Sequence, residues 1–183
     1  TLPDGKYDAV CEIAGGEART TRILMKTRIR KGPNFDRVCN VDLNLPKERR
    51  AFWIYLEKSR CLVVVMAPTC GPFGGWSRLN EIINNETWRQ TLEDALPLAA
   101  FCGSVAMKQL EEDRDFLNEQ PAGSRLYLVD PWPRVKQHPR TSRKYTDQCQ
   151  SGARTSDGTH SYQKSTELWA SDEELLKPFE GTK

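Results

Sequence analysis

Apolar residues along the chain fall into short runs separated by polar, Gly- and Pro-rich stretches, and the runs carry two different periods. Tyr7 to Ala14 (YDAVCEIA) is a mostly apolar run that ends at Gly15-Gly16, which predicts a buried strand and a tight turn. Arg19 to Thr27, with Ile23 and Leu24 as its apolar contacts, predicts a helix. Phe35 to Leu43 (FDRVCNVDL) alternates apolar and polar positions and predicts a second strand. Pro46 suits the first turn of a helix that continues through Ala51, Phe52, Ile54, Tyr55 and Leu56. Cys61 to Ala67 (CLVVVMA) is the clearest central strand: apolar throughout, β-branched in the middle and halted by Pro68.

Pro68 to Asn85, rich in Gly, Pro and Asn, predicts a loop. Thr87-Trp88-Arg89-Gln90 has capping-box spacing and predicts the start of a long helix. Trp88, Leu92, Ala95, Leu96, Ala99, Cys102, Ala106 and Leu110 recur along that helix at helical spacing, and Pro97 predicts a kink or a split. Asp115 to Glu119 predicts a short strand stopped by Pro121. Beyond Pro131 the chain turns polar, with Cys149, Trp169 and Leu175-Leu176 as apolar anchors.

Strands alternating with helices predict an α/β domain, a mostly parallel sheet flanked by helices. In such sheets ligands bind beyond the carboxyl ends of the strands. The length of 183 residues fits one domain, with residues 1–130 as its core and 131–183 as a polar, partly irregular part. A first residue of Thr1 suggests a piece of a longer chain.

Charge and cysteine content narrow the chemistry. The formal charge is +2, yet Glu17 to Lys31 holds six basic residues against one acid. Arg134 to Lys164 holds seven basic residues against Asp147 and Asp157. Brought together, these stretches would attract phosphate; kept apart, they are ordinary solvated surface. No run of eighteen apolar residues is present, so no membrane partner is expected. The six cysteines form no Cys-x-x-Cys pair and the histidines are only His138 and His160, so no metal site is expected. Cys11, Cys39 and Cys61 sit in apolar runs and read as small buried hydrophobes, which points to a reducing, intracellular compartment, nuclear or cytoplasmic.

Three motifs fall on turns just after strands. Glu12-Ile13-Ala14-Gly15-Gly16 either brings backbone close to a ligand or makes a plain structural turn. Pro68-Thr69-Cys70-Gly71-Pro72-Phe73 holds an exposed cysteine on a stiff loop, either a nucleophile or a thiol of no consequence. Phe116-Leu117-Asn118-Glu119-Gln120-Pro121 aims a carboxylate at a cleft or at solvent.

Taken in order, these motifs resemble the C5-cytosine methyltransferase family. The resemblance implies a Rossmann-like fold that binds S-adenosyl-L-methionine, with Cys70 as the nucleophile toward C6 of cytosine and Glu119 as the acid at N3. It implies Glu12, Ala14, Gly15, Gly16 and Pro68 around the cofactor. Asp36 and Asp42 are similar to the family's ribose and adenine acids, in either order. Asp147-Gln148-Cys149, Arg154 to Gly158 and Lys164 to Ser171 resemble a divergent methyltransferase-like branch found in retroelement polyproteins. Arg154 is the candidate for holding a base or a phosphate.

Three departures qualify what the resemblance implies. Thr69 replaces the usual proline before the cysteine, and Gln120 replaces the usual asparagine after the acid. Leu126 to Thr166 is too short for a full target-recognition domain. The expected activity is methyl transfer to C5 of cytosine in DNA or RNA. Two alternatives stand beside it: a silent nucleic-acid-binding or structural module of a retrotransposon polyprotein, and a methyltransferase with another substrate.

Overall fold

A computed structural model of the chain describes residues 8–18, 20, 30–161 and 163–179. The helix expected over Arg19 to Thr27 lies outside the described residues except at Thr20. Six strands form one sheet: β1 (Val10–Ile13), β2 (Lys31–Phe35), β3 (Val63–Met66), β4 (Asp115–Pro121), β5 (Ser142–Asp147) and β6 (Ser165–Ala170). Their order is β2-β1-β3-β4-β6-β5. β2, β1, β3 and β4 run parallel, while β6 is antiparallel to both β4 and β5. The chain therefore starts in the middle, steps outward to β2 and returns across β1 to β3. That reversal puts a topological switch point between β1 and β3.

Among the described residues, α1 (Pro46–Ser59), α2 (Ser77–Ile83), α3 (Asn85–Glu111) and α4 (Trp132–Gln137) accompany the sheet. Pro46 opens α1 at the position where a missing N–H costs nothing, and Phe52 and Leu56 are its fully buried residues. Phe52 meets Phe35, Trp53 and Phe101 edge-on, which fastens α1 to the end of β2 and to α3. α3 buries Ala95, Ala99, Cys102, Val105 and Ala106 in the main core, with Val64, Met66 and Phe116 of the sheet. Gly103 is required there: a Cβ would stand 2.8 Å from Pro131, so only glycine lets α4's leading turn approach. Leu168, Ala170 and Leu176 form a second, smaller cluster with Leu117, on the opposite side of β4 and β6.

Several sequence expectations are corrected. The second strand is Lys31–Phe35, ahead of the expected Phe35 to Leu43. Pro33 is accommodated because β2 is an edge strand. Asp36 ends the strand by accepting the Val38 N–H at 2.9 Å, which captures Arg37–Cys39 in a 3₁₀ turn. Cys39 is consequently exposed, not buried. The expected loop over Pro68 to Asn85 contains α2. α3 begins at Asn85, two residues before the capping-box motif, and runs unbroken through Pro97. The intact apolar face on either side carries the helix past the single backbone bond that proline removes.

β4 continues through Glu119 to Pro121. Residues 131–179, polar in sequence, supply α4 and two strands of the same sheet. The β5–β6 connection is an exposed hairpin closed by a bridge between Arg154 and Ser161. Its root is pinned where Ser165 and Gln163 both donate to the Asp147 carboxylate at 2.7 Å. Among the described residues, no helix is long and apolar enough to cross a membrane, and no cluster of metal-ligating side chains is gathered.

Candidate functional site

The carboxyl ends of β1, β2 and β3 border a cavity of about 510 Å³, a size suited to a small-molecule ligand. It lies at the switch point, where open α/β sheets place their ligands. Ala14 and Gly16 line it from the β1 turn, Asp36, Arg37, Val41, Asp42 and Asn44 from the segment after β2, and Ala67 and Thr69 from the loop after β3. α3 closes the far wall with Thr91, Asp94, Ala95 and Leu98.

The β1 turn is shaped by its neighbours. Ala14 and Gly16 both adopt left-handed φ, 53° and 54°. Asn34 accepts from the Gly15 N–H at 3.3 Å and donates to the Gly16 carbonyl at 2.9 Å. Asp36 accepts from the Gly16 N–H at 2.9 Å. Gly15 has no room for a side chain, since a Cβ would stand 2.9 Å from the Glu12 Cβ and 3.0 Å from Asn34 Oδ1. Gly15 and Glu12 thus stand behind the wall and support it. Glu12 is buried, and its carboxylate accepts from the Thr20 N–H. Gly16 faces open space instead.

The acids differ in setting. Asp36 spends one oxygen on Gly16 and the other on Val38, and still borders the cavity. Asp42 accepts from the Asn44 N–H at 2.9 Å and pairs with Arg37 at 3.0 Å. The Asn44 N–H, and after it the Arg37 guanidinium, holds the Asp42 carboxyl below the ordinary carboxylate range. Asn44 spans the cavity's edge by donating to the Asp94 carbonyl at 3.0 Å.

The loop that carries Cys70 adjoins this cavity. Thr69 lines it, and half-buried Cys70 is the next residue. Cys70 therefore is not the most exposed thiol of the chain, a place taken by Cys39. The Cys70 carbonyl accepts from Phe73 and Gly74, closing a turn anchored by buried Phe73. Pro68 is buried, away from the cavity lining, and its carbonyl accepts the Gln120 amide at 2.7 Å. Gln120 is wholly buried and takes the Ser124 hydroxyl on its other side. Gln120 therefore ties β4 to the cysteine loop.

Glu119 emerges one strand over from that loop. Its carboxylate stands 3.7 Å from Lys164 Nζ and accepts from Gln148 at 3.5 Å. Arg154 sits in the β5–β6 hairpin and is not part of the cavity lining. The sequence reading missed Asn34, Thr91, Asp94, Leu98 and Lys164 as site residues. Thr91, Asp94 and Leu98 follow helical spacing, so a polar pair on one side of α3 was the available signal.

No protein-family model matches the chain, and no curated protein matches it.

Proposed function

We propose that the chain binds S-adenosylmethionine in the switch-point cavity and methylates C5 of cytosine in nucleic acid, with Cys70 as nucleophile. One observation carries this reading: the cysteine follows directly on a residue that lines a nucleoside-sized, carboxylate-edged cavity. The acids fit a ligand rich in hydroxyl and amine donors. Asp36 and Asp42 can accept from ribose hydroxyls and an exocyclic amine, and three cavity carboxylates oppose a phosphate-bearing nucleotide. When bound, S-adenosylmethionine supplies an electrophilic methyl group.

The chain's own residues supply the addition and the hold on the base; turnover is completed when C5 loses its proton to a base and the Cys70 thiolate is expelled from C6. The Cys70 thiolate would add to C6, a covalent step that makes C5 electron-rich. Glu119 would hold the Watson–Crick edge, donating to N3 as the acid or accepting from the N4 amine as the anion. Lys164, paired with Glu119, sets positive charge where the ring gathers electrons after that addition. All six cysteines are free, which fits the intracellular, reducing setting that a nuclear or cytoplasmic enzyme would have.

The engagement of Glu119 by Lys164 and Gln148 favours one second reading, a module that binds the cofactor without turning over cytosine. Calorimetric titration of S-adenosylmethionine into the wild type and Gly15→Val tests the cofactor site. The expected result is saturable binding that Gly15→Val abolishes, because the valine collides with Glu12 and Asn34. No binding at millimolar ligand would overturn the proposal. Binding without methyl transfer to any cytosine-containing DNA or RNA would leave the second reading.

A further inference from the structure

α2 is held in an unusual way. Phe73 is buried, but beyond it Trp76, Ile82 and Ile83 are 87%, 81% and 72% exposed, so apolar burial does little to fix α2 itself. One residue outside it supplies several of the ties that burial does not, beside the bond from Asn85 to the Glu81 carbonyl. Arg125, in the 3₁₀ turn Arg125–Leu128 just beyond β4, donates its backbone N–H to the Phe73 carbonyl at 2.9 Å. Its guanidinium donates to Glu81 at 2.9 Å and to the Ser77 hydroxyl at 3.0 Å. The face of that group lies 5.3 Å from the Trp88 ring, and Trp88 itself donates to the Pro72 carbonyl at 3.4 Å.

Four groups of one side chain and its backbone thus converge on residues 73–88. The half-buried ion pair alone would contribute little to global stability. A planar fork that bridges Ser77 and Glu81, one turn apart on α2, and stacks on an aromatic ring instead fixes orientation. Ser77 is buried under it, so the fork is not a loose surface contact.

We propose that Arg125 is a positioning residue for Cys70. It locks α2 and the turn that starts at Cys70 against the end of β4, so that the thiol is presented beside Glu119. The proposal rests on Cys70 being the nucleophile. It assigns Arg125 no contact with substrate.

Two readouts should move in opposite directions. In Arg125→Ala the freed loop exposes Cys70, and iodoacetamide labelling, read by peptide mass spectrometry with exposed Cys39 as internal reference, should quicken about tenfold, the equivalent of one charge-assisted hydrogen bond. Covalent trapping of Cys70 on a 5-fluorocytosine oligonucleotide with S-adenosylmethionine should fall about 10²-fold through misplacement. Cofactor affinity should stay unchanged. Arg125→Lys keeps the pair with Glu81 but loses the fork and the stack, so it should fall between; Glu81→Gln in the wild type should give a smaller shift that vanishes in the Arg125→Ala background.

Labelling of Cys70 at the wild-type rate in Arg125→Ala and Glu81→Gln would overturn the proposal. So would parallel losses of trapping, cofactor affinity and thermal midpoint, which mark a merely structural residue. A wild type that labels but never traps would overturn the nucleophile reading, and with it the catalytic meaning of Arg125. Trapping that survives in Arg125→Ala would overturn the positioning role alone.

Discussion

The two ends of the same strands handle polar residues in opposite ways. At the amino ends, polar groups are used up on one another. Gln109 of α3 is fully buried and donates to the carbonyls of Cys61 and Asp115 at 3.1 and 2.8 Å, while its own oxygen takes Arg114 at 2.8 Å. Arg140 bridges Asp113 and Asp115, and Tyr55 and Arg30 both close on Asp8. Burial pushes the Tyr55 phenol well above its ordinary pKa, so it stays a neutral donor at any working pH. At the carboxyl ends Asp36, Asp42, Thr91 and Asp94 border an open volume instead. One edge of the sheet is a seam, and the other is a mouth. The difference teaches that access to open volume, rather than polarity or hydrogen bonding, separates residues that hold the fold from residues available for chemistry, since Asp36 and Asp42 carry hydrogen bonds and still border the cavity.

That contrast can be broken from either side. The largest expected effect is at the mouth: Cys70→Ser should abolish methyl transfer while the thermal midpoint stays within about 2 °C, as for a substitution outside any buried network. Turnover retained in that variant would remove Cys70 from the chemistry. At the seam, Gln109→Leu should do the reverse. It strips two backbone carbonyls and Arg114 of their partner, costing about 3 kcal/mol. The midpoint should drop by roughly 6–12 °C, read by calorimetry, with cofactor affinity unchanged.

Smaller effects sharpen the picture. Asp36→Ala should weaken cofactor binding about tenfold, one lost hydrogen bond to an ionised acceptor. It should also loosen the Gly16 turn, visible as faster amide exchange at Gly16 and Val38. The smallest effect is a pH dependence. The Asp42 pKa is lowered in the folded protein, so its ionised form adds stability above the unfolded-state value of about 3.9 and loses that contribution as pH falls through the lower folded value. The ratio of wild-type to Asp42→Ala affinity should accordingly stay flat from pH 7 down to about pH 4. A decline beginning near neutrality would point to another titrating group.

What the sequence made legible follows the same division. β3 was readable because its apolar run needs no partner to explain it, and the Gly15-Gly16 turn because glycine after a buried strand has few other uses. β6 was not read from its pattern as a buried strand. Its Glu167 is 4% exposed, stabilised by the Trp169 indole N–H at 2.7 Å and by the Gly123 N–H at 3.1 Å. Such burial depends on partners that no local pattern announces. The polar face of β4 hides in the same way: Asn118 is matched by Tyr127 and Gln120 by Pro68, contacts made only once the fold exists. α2 stayed unread because its flanking glycines suggest a loop and its apolar residues point to solvent. The α3 wall was hidden for another reason. Its helix was foreseen, but which side would face the mouth depends on the sheet order.

The pinned root of the β5–β6 hairpin has a practical meaning. Because Asp147, Gln163 and Ser165 fasten its two stems, the tip around Arg154 can be exchanged without disturbing register in the sheet. Doubling the length of such a loop costs only about 0.6 kcal/mol in closure entropy. The hairpin is thus a socket, and a sequence-reading module grafted there would inherit a fixed bearing toward Glu119 through Gln148 and Lys164.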